Sequence, residues 1–277
     1  HIECSAMVKS LYGDQIDIHG GGLDLLFPHH ENEVAQSEGC TGEHYAKYWV
    51  HWNLINFGGS KMSKSLGNVV NMHQFLETSH PEIYKWMMLS VHYRSIADFS
   101  DASIHQAVSG LAKVYSALSL AESLVLDPLH RDDKYQSELD QAWSKIEESL
   151  NNDFGTPAAF AVMFDQIRKF NSICRRGMKS NEATSSKSNT FIRFVKKFGS
   201  VMSLFQENSS EFLNKLDDLL LEKMQLQRSV VDAIVKERSL ARANKDFTKS
   251  DELRKKLTEM GVSVSDLPEG SFWEVAK

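Results

Sequence analysis

A short basic run, Lys61-Met62-Ser63-Lys64-Ser65, constrains this chain more than any other feature of its sequence. Two lysines three residues apart place positive charge where negative charge develops on a phosphate, and serine and backbone N–H groups add hydrogen-bond donors. The run therefore predicts a loop that folds over a phosphate chain. A solvated basic turn between two elements is the alternative.

Three consecutive glycines, Gly20, Gly21 and Gly22, follow an apolar–polar alternation over residues 15–19. The alternation predicts a short strand, and the glycines mark a place where the backbone approaches something closely. A strand that ends in a glycine loop is where α/β folds bind nucleotides. A plain turn remains the alternative, because the segment contains neither a Walker sequence nor a dinucleotide fingerprint.

The segment after the glycines predicts a helix that begins at Pro28 and runs to residue 36 or 37. His29 and Glu33 are four residues apart and so share one face of this helix. An imidazole and a carboxylate on one helical face are a workable half of a zinc site, although an ordinary surface pair has the same spacing.

Cys4 would add a soft thiolate to that pair, and we expect it at the end of a short strand. A single cysteine is otherwise a small apolar core residue, and Cys40 and Cys174 are assigned to that class. Three protein ligands leave one tetrahedral position for substrate, water or a residue outside this chain.

Three blocks of the sequence together resemble the cysteinyl-tRNA synthetases, a family of class I aminoacyl-tRNA synthetases. They are residues 1–7 (HIECSAM), the segment 19–33, and residues 61–68 (KMSKSLGN). The resemblance is weaker over residues 92–95, 152–157 and 238–261. The family's first half, with its ATP-binding His-x-x-His type signature and a further cysteine ligand for zinc, has no counterpart here. The resemblance therefore implies the C-terminal part of a longer enzyme, inactive in aminoacylation by itself.

The resemblance also implies a chemistry, the ATP-dependent ligation of L-cysteine to tRNA(Cys) through a cysteinyl-adenylate. Zn²⁺ would be held by Cys4, His29, Glu33 and the missing cysteine, and it would bind the thiolate of the substrate. Lys61 and Lys64 would stabilise the leaving pyrophosphate. The expected ATP-binding residues are His19, Gly21, Asp24 and Lys64, with Mg²⁺ accompanying the nucleotide.

The predicted fold is an α/β remnant of a class I synthetase catalytic domain followed by a mostly α-helical bundle. Helical periodicity dominates from Asn71 onward. We expect a loop at 179–190, where Ser and Asn are frequent, and a turn with a short β-hairpin at 261–275. The predicted domains are 1–70 (catalytic), 71–130 (helical stem-contact region) and 131–277 (anticodon-binding region).

The net charge of −6 does not favour a nucleic-acid partner, but the distribution of charge does. Two basic clusters are candidates for contact with tRNA, and a solvated helix surface of mixed charge is the alternative for the second. The clusters are Arg175, Arg176 and Lys179, and Lys236, Arg238, Arg242, Lys245 and Lys249. Three widely spaced cysteines and no apolar run near 18 residues predict a cytoplasmic protein, and a monomer is favoured.

Three other functions stay open at this point. The helical part could act as a tRNA-binding module without catalysis. A synthetase-like core could ligate cysteine to a small amine, and such relatives keep the zinc and ATP motifs. A zinc-stabilised domain without catalysis would need neither Lys61 nor Lys64.

Overall fold

The structure is a computed structural model that describes the backbone of residues 1–57, 60–61, 72–267 and 270–277. Its described residues group into two units. The first unit contains His1–Val69 and Met87–Ser103, and the second contains Val70–Trp86 and Ile104–Lys277.

Small parallel and mixed sheets with two helices build the first unit. The helices are α1 (Ile2–Tyr12) and α2 (Glu31–Thr41). A 3₁₀ turn (Leu23–Leu25) and a π-helical turn (Leu26–His30) lead into α2. The strands are β1 (Ile16–Gly22), β2 (Ala46–Trp52), β3 (Ile55–Phe57), β4 (Ser60–Lys61) and β5 (Ala97–Phe99).

The parallel pairing of β1 with β2 positions the candidate site. His19 lies beside Trp49, and Gly21 lies beside His51. Because side chains alternate between the faces of a strand, these four positions line one face of the sheet. In the second sheet, β3 pairs antiparallel with β4 and parallel with β5.

Three local predictions for this unit are wrong. Cys4 lies in α1 rather than at a strand end, because its apolar neighbours continue as a helix-forming stretch through Tyr12. The three glycines belong to β1 instead of forming a loop, since they pair with β2 up to Trp52. Helix α2 begins at Glu31 rather than Pro28 and continues to Thr41, where Gly42 ends it with a φ of 78°.

Helices form nearly all of the remaining chain, which confirms the predicted helical bundle. They are α3 (Met72–Thr78), α4 (Pro81–Leu89), α5 (Asp101–Leu124), α6 (Asp133–Asn151), α7 (Thr156–Ile173), α8 (Glu182–Met202), α9 (Ser209–Lys223), α10 (Arg228–Ala243) and α11 (Phe247–Glu259). The predicted C-terminal hairpin is confirmed as β6 (Val262–Leu267) and β7 (Gly270–Val275), which pair antiparallel. Among the described residues, no helix is both long and apolar enough to cross a bilayer.

Aromatic side chains fill the core of the second unit. Trp86 contacts Phe160 and Phe205 edge-on, with ring centroids 4.7 Å and 6.1 Å away. Gly110 on α5 admits this indole, since a Cβ there would lie 2.6 Å from its Cε2 atom. A separate cluster joins α9, α10, α11 and the hairpin through Leu221, Val231, Ile234, Val235, Leu257, Val262 and Val275.

The loop predicted at 179–190 is wrong, because most of it is the first part of α8. Asn181 accepts a hydrogen bond from the Thr184 N–H, and Thr184 accepts one from the Asn181 N–H, which forms a capping box. Ser185, Ser188 and Asn189 are buried. Their polar side chains face inward, so the apolar periodicity that predicts a helix is missing from this stretch.

Candidate metal and nucleotide site

The carboxylate of Glu33 is the centre of the candidate site. Its side chain is 1% exposed, and its Oε2 lies 3.1 Å from His19 Nε2 and 3.6 Å from His29 Nε2. His29 and Glu33 thus meet one turn apart, as their spacing predicts, while His19 approaches from β1. A buried carboxylate needs cationic or hydrogen-bonding partners, and a metal ion is one way to supply them.

Cys4 completes a group with donor atoms suited to zinc. The ligand atoms of Cys4, His29 and Glu33 all lie within 4.8 Å of one another. Two ligands each 2.0–2.1 Å from a tetrahedral ion are separated by about 3.4 Å, so the 3.6 Å between His29 and Glu33 fits one ion. The other ring nitrogen of His29 lies 2.6 Å from His1 Nδ1, a contact that orients the ring.

A second group of possible ligands shares Glu33. It consists of His19, His30 and Glu33, whose ligand atoms also lie within 4.8 Å of one another. His30 is 3% exposed, and its Nδ1 lies 2.8 Å from His51 Nε2. Burial, and next the nearby His19, lower the pKa of His30, which favours its neutral form.

Sequence reasoning missed His30, His51 and Trp49 in this site. Spacing along the helix does not indicate His30, because the residue one turn further on is Val34. The ring of His30 instead faces the sheet, where it contacts His51. The alternation Trp49-x-His51 in a strand was the available signal, since both side chains lie on the face that carries His19. The Trp49 and His51 rings stack at an interplanar angle of 2°.

Tyr45 packs against the rings of His19 and Trp49 in this site. It is 2% exposed, and its ring centroid lies 5.4 Å from that of His19. Burial raises the pKa of Tyr45 to about 12, with the negative charge of Glu33 adding to the effect. The phenol therefore stays protonated at neutral pH.

The predicted ATP-binding residues lie on β1 and just after it. A Cβ at Gly21 would lie 2.7 Å from His30 Nε2, so this glycine makes room for the histidine ring. Asp24 is exposed in the 3₁₀ turn. Lys61 pairs through its backbone with Asn56, and Lys64 lies outside the residues that the structure describes.

The other two cysteines differ from each other. Cys174 is buried, as predicted, and burial raises the pKa of its thiol. Cys40 is exposed, so its assignment to the core is wrong. It lines a cavity of about 180 Å³ between α1 and α2, next to Lys9 and Tyr45.

The second basic cluster is largely neutralised by carboxylates. Arg238 is 1% exposed, and its Nη1 and Nη2 donate to Asp266 at 2.7 and 2.9 Å. Arg242 Nη1 lies 3.3 Å from the same carboxylate, and Lys249 Nζ lies 2.8 Å from Glu237. In the first cluster, the Arg176 guanidinium lies 4.3 Å from the centroid of the Phe272 ring.

Comparison with known families covers most of the chain. Residues 1–109 match the family described as tRNA synthetases class I (C) catalytic domain. Residues 145–206 match the DALR domain, and residues 229–273 match the cysteinyl-tRNA ligase anticodon binding domain. These matches place the chain among the class I aminoacyl-tRNA synthetases.

Individual relatives specify the family within that class. The chain is 62% identical over 278 residues to a cysteine–tRNA ligase of Bdellovibrio bacteriovorus, covering all of this chain and 58% of that protein. It is 38% identical over 275 residues to one from Syntrophotalea carbinolica, covering 99% of this chain and 57% of that protein. This chain belongs to the cysteine–tRNA ligase family, and it spans less than two thirds of the length of these relatives.

One solved structure is also similar over part of its length. Methionyl-tRNA synthetase of Mycobacterium tuberculosis, in complex with methionyl-adenylate, is 17% identical with a TM-score of 0.49. The match covers 77% of this chain and 45% of that chain.

Proposed function

We propose that the full-length protein carrying this sequence ligates L-cysteine to tRNA(Cys) at the expense of ATP, through a cysteinyl-adenylate. The observation that carries the proposal is the grouping of Cys4, His29 and Glu33 within 4.8 Å in a chain of this family. A thiolate, an imidazole and a carboxylate form a donor set suited to zinc and leave room for an exogenous ligand. The domains proposed for the chain remain 1–70, 71–130 and 131–277.

Zn²⁺ held by Cys4, His29 and Glu33 would supply a Lewis acid that binds the thiolate of the substrate. A hydroxyl is a harder and far less acidic ligand, so the same site selects cysteine against serine. The protein's own contribution is to fix the ligands. His19 holds the carboxylate of Glu33, and His1 holds the ring of His29.

ATP would bind next to this centre, along the edge of β1. His19 and Gly21 lie on the face that carries the histidine cluster, and exposed Asp24 is available to accept from a ribose hydroxyl or an amino group. Lys61 and Lys64 would stabilise charge on the leaving pyrophosphate. Removal of one well-placed donor of this kind costs about 10²–10³ in rate.

tRNA(Cys) would bind through the helical part of the chain. The matches to the DALR and anticodon-binding domains support this partner. Arg238 and Lys249 are each paired with a carboxylate. The exposed cations Arg175, Lys236 and Lys245 would therefore contribute more of the electrostatic attraction to tRNA.

ATP–pyrophosphate exchange tests the proposal. The full-length protein and this chain are assayed side by side, after loading with zinc, with cysteine and with serine as the amino acid. Exchange in the full-length protein with cysteine and not with serine is expected. Its absence from both would contradict the proposal and favour a tRNA-binding module without catalysis.

A further inference from the structure

Tyr45 carries a buried hydroxyl group that forms no hydrogen bond in the described part of the chain. The residue is 2% exposed, and its hydroxyl oxygen is enclosed by other atoms. Its backbone is fixed, because its carbonyl accepts from the Ile16 N–H at 2.9 Å and its own N–H donates to Glu38 Oε1 at 3.1 Å. Buried polar groups without a partner are rare in proteins, so this hydroxyl calls for a partner that acts in function.

The ring of Tyr45 packs against the side chains that surround Glu33. Its centroid lies 5.4 Å from the centroid of the His19 ring and 6.1 Å from that of the Trp49 ring. His19 Nε2 in turn lies 3.1 Å from Glu33 Oε2. Only one imidazole therefore separates the ring of Tyr45 from the buried carboxylate.

Tyr45 also lies beside both helices that carry the proposed zinc ligands. With Ser5 on α1 and Gln36 on α2, it lines the cavity of about 180 Å³ between these helices. Ser5 directly follows Cys4, and Gln36 comes three residues after Glu33, on the same face of α2. The Ser5 hydroxyl donates to Gln36 Oε1 at 2.9 Å, so these two side chains are engaged with each other.

The anionic groups nearest in effect to the phenol are proposed zinc ligands. Burial is the largest cause of the raised pKa of Tyr45, and the negative charges of Glu33 and then Cys4 add to it. The phenol therefore keeps its proton at neutral pH and has it available for an anionic acceptor. Glu33 suits this role better than Cys4, because a carboxylate that gives one oxygen to a metal ion has lone pairs left for a donor.

We propose that Tyr45 is a positioning residue of the zinc site, whose hydroxyl donates to the Glu33 carboxylate when the ion is bound. The proposal rests on the proposed function, which assigns Glu33 as a zinc ligand. Ligating carboxylates are commonly held by donors of this kind, and loss of such a donor typically costs about 10–100-fold in metal affinity. His19 reaches the same carboxylate from β1, and Tyr45 would hold it from the residue that precedes β2.

The test compares three variants of the full-length protein. Tyr45→Phe removes the hydroxyl and keeps the ring. Tyr135→Phe is the matched control, because Tyr135 belongs to the second unit, is 4% exposed, and also has a buried hydroxyl without a hydrogen-bond partner in the described part of the chain. Glu33→Gln removes the charge of the proposed ligand itself. Zinc affinity is measured by competition with a chromogenic chelator, and thermal unfolding is followed with and without zinc.

We expect Tyr45→Phe to bind zinc about tenfold more weakly than the parent, and Tyr135→Phe to bind it as the parent does. Without zinc, Tyr45→Phe should unfold at or above the parental temperature, because no hydrogen bond is lost. Excess zinc should raise its unfolding temperature by less than it raises that of the parent, since weaker binding stabilises less. A role in packing alone would leave this zinc-dependent rise unchanged.

Parental zinc affinity in Tyr45→Phe, together with weakened binding in Glu33→Gln, would overturn the role of Tyr45 and leave the zinc site in place. A zinc-free Tyr45→Phe protein that unfolds below the parental temperature, or fails to fold, would also overturn it, because the hydroxyl would then have a structural partner of its own. Parental zinc affinity in Glu33→Gln would instead contradict the zinc site of the proposed function.

Discussion

Glu33 shows how one buried side chain organises the candidate site. Its carboxylate is reached by His19 from a strand and by His29 from its own helix. Two overlapping donor groups result, one with Cys4 and one with His30. Softness of the ligands favours the group with the thiolate for zinc, and a substitution in each group can separate the two.

Cys4→Ala in the full-length protein should lower zinc affinity at least tenfold, because it removes a direct ligand and losses of 10–100-fold are typical even for supporting residues. It should also raise the KM for cysteine. Zinc content measured by elemental analysis after dialysis checks the first effect. His30→Ala is the control and should retain zinc. Loss of zinc in His30→Ala with full content in Cys4→Ala would assign the metal to the other group.

Glu82→Gln should change stability in a pH-dependent way. Burial raises the pKa of Glu82 in the folded state, so folding prefers the protonated carboxyl. Wild-type stability should therefore fall relative to the variant as the pH rises above the unfolded value of about 4.3. Unfolding midpoints at pH 4 and pH 7.5 measure this. We expect Glu82→Gln to gain stability relative to the wild type at pH 7.5. A gain at pH 4 alone would contradict burial as the cause of the raised Glu82 pKa.

At the scale of single residues, the sequence predicted those side-chain contacts that depend only on spacing along one helix. His29 and Glu33 meet as the four-residue interval requires. His30 could not be placed in this way, because its partner His51 comes from a strand 21 residues later. Contacts between elements depend on how those elements pack, which a periodicity within one element does not encode.

Helix α8 shows the same limit at the scale of an element. Its first turns are held by polar side chains, and Asn189 Nδ2 donates to the carbonyls of Pro128 and His130 at 2.5 and 2.8 Å. Ser185 accepts from the N–H of Leu126 at 2.7 Å. Inward-facing polar groups resemble a loop in sequence, because they remove the apolar periodicity by which an amphipathic helix is predicted.

Asn189→Ala should destabilise the chain by about 1–3 kcal/mol, since it removes a buried amide that donates to the carbonyls of both Pro128 and His130. Ser186→Ala is the matched control on the same helix, where the hydroxyl bonds only within α8, and should cost less than about 0.5 kcal/mol. Chemical denaturation measures both. Equal effects of the two substitutions would mean that the Asn189 bonds contribute nothing specific.

The C-terminal hairpin is tied to α10 by the Arg238–Asp266 pair. The guanidinium holds the pKa of Asp266 well below its usual range, so the stabilisation is complete above the unfolded pKa of about 3.9 and is lost as the pH falls towards the folded value. Asp266→Ala should cost about 2 kcal/mol at pH 7, less than for a fully buried pair because the carboxylate is 35% exposed.

The double variant Arg238→Met with Asp266→Ala should recover part of that loss, since no buried charge is left unpaired. Urea denaturation at pH 7 and pH 3 compares the three proteins. The wild type should lose more stability than the double variant between these two pH values. The opposite order would contradict the assigned ion pair.

At the scale of the whole molecule, the first unit exposes many large apolar side chains. They are Ile2, Met7, Leu11, Tyr12, Ile18, Leu23, Leu25, Leu26, Phe27, Tyr48, Trp52 and Ile96. Parallel strands are usually covered on both faces, and apolar surface of this extent normally contacts other protein. The Bdellovibrio relative is longer than this chain, which covers 58% of it.

We therefore expect this chain by itself to bind a hydrophobic dye strongly, and the full-length protein to bind it at least several-fold less per molecule. Fluorescence titration with both proteins at equal concentration measures the difference. Equal dye binding by the chain and the full-length protein would show that the apolar face stays exposed.

Charging of tRNA(Cys) with radiolabelled cysteine tests the central claim most directly. The full-length protein, loaded with zinc and supplied with ATP and Mg²⁺, should transfer cysteine to tRNA(Cys) and leave serine untransferred. Cysteine-dependent pyrophosphate exchange without any charging of tRNA, accompanied by ligation of cysteine to a small amine, would contradict the proposed function.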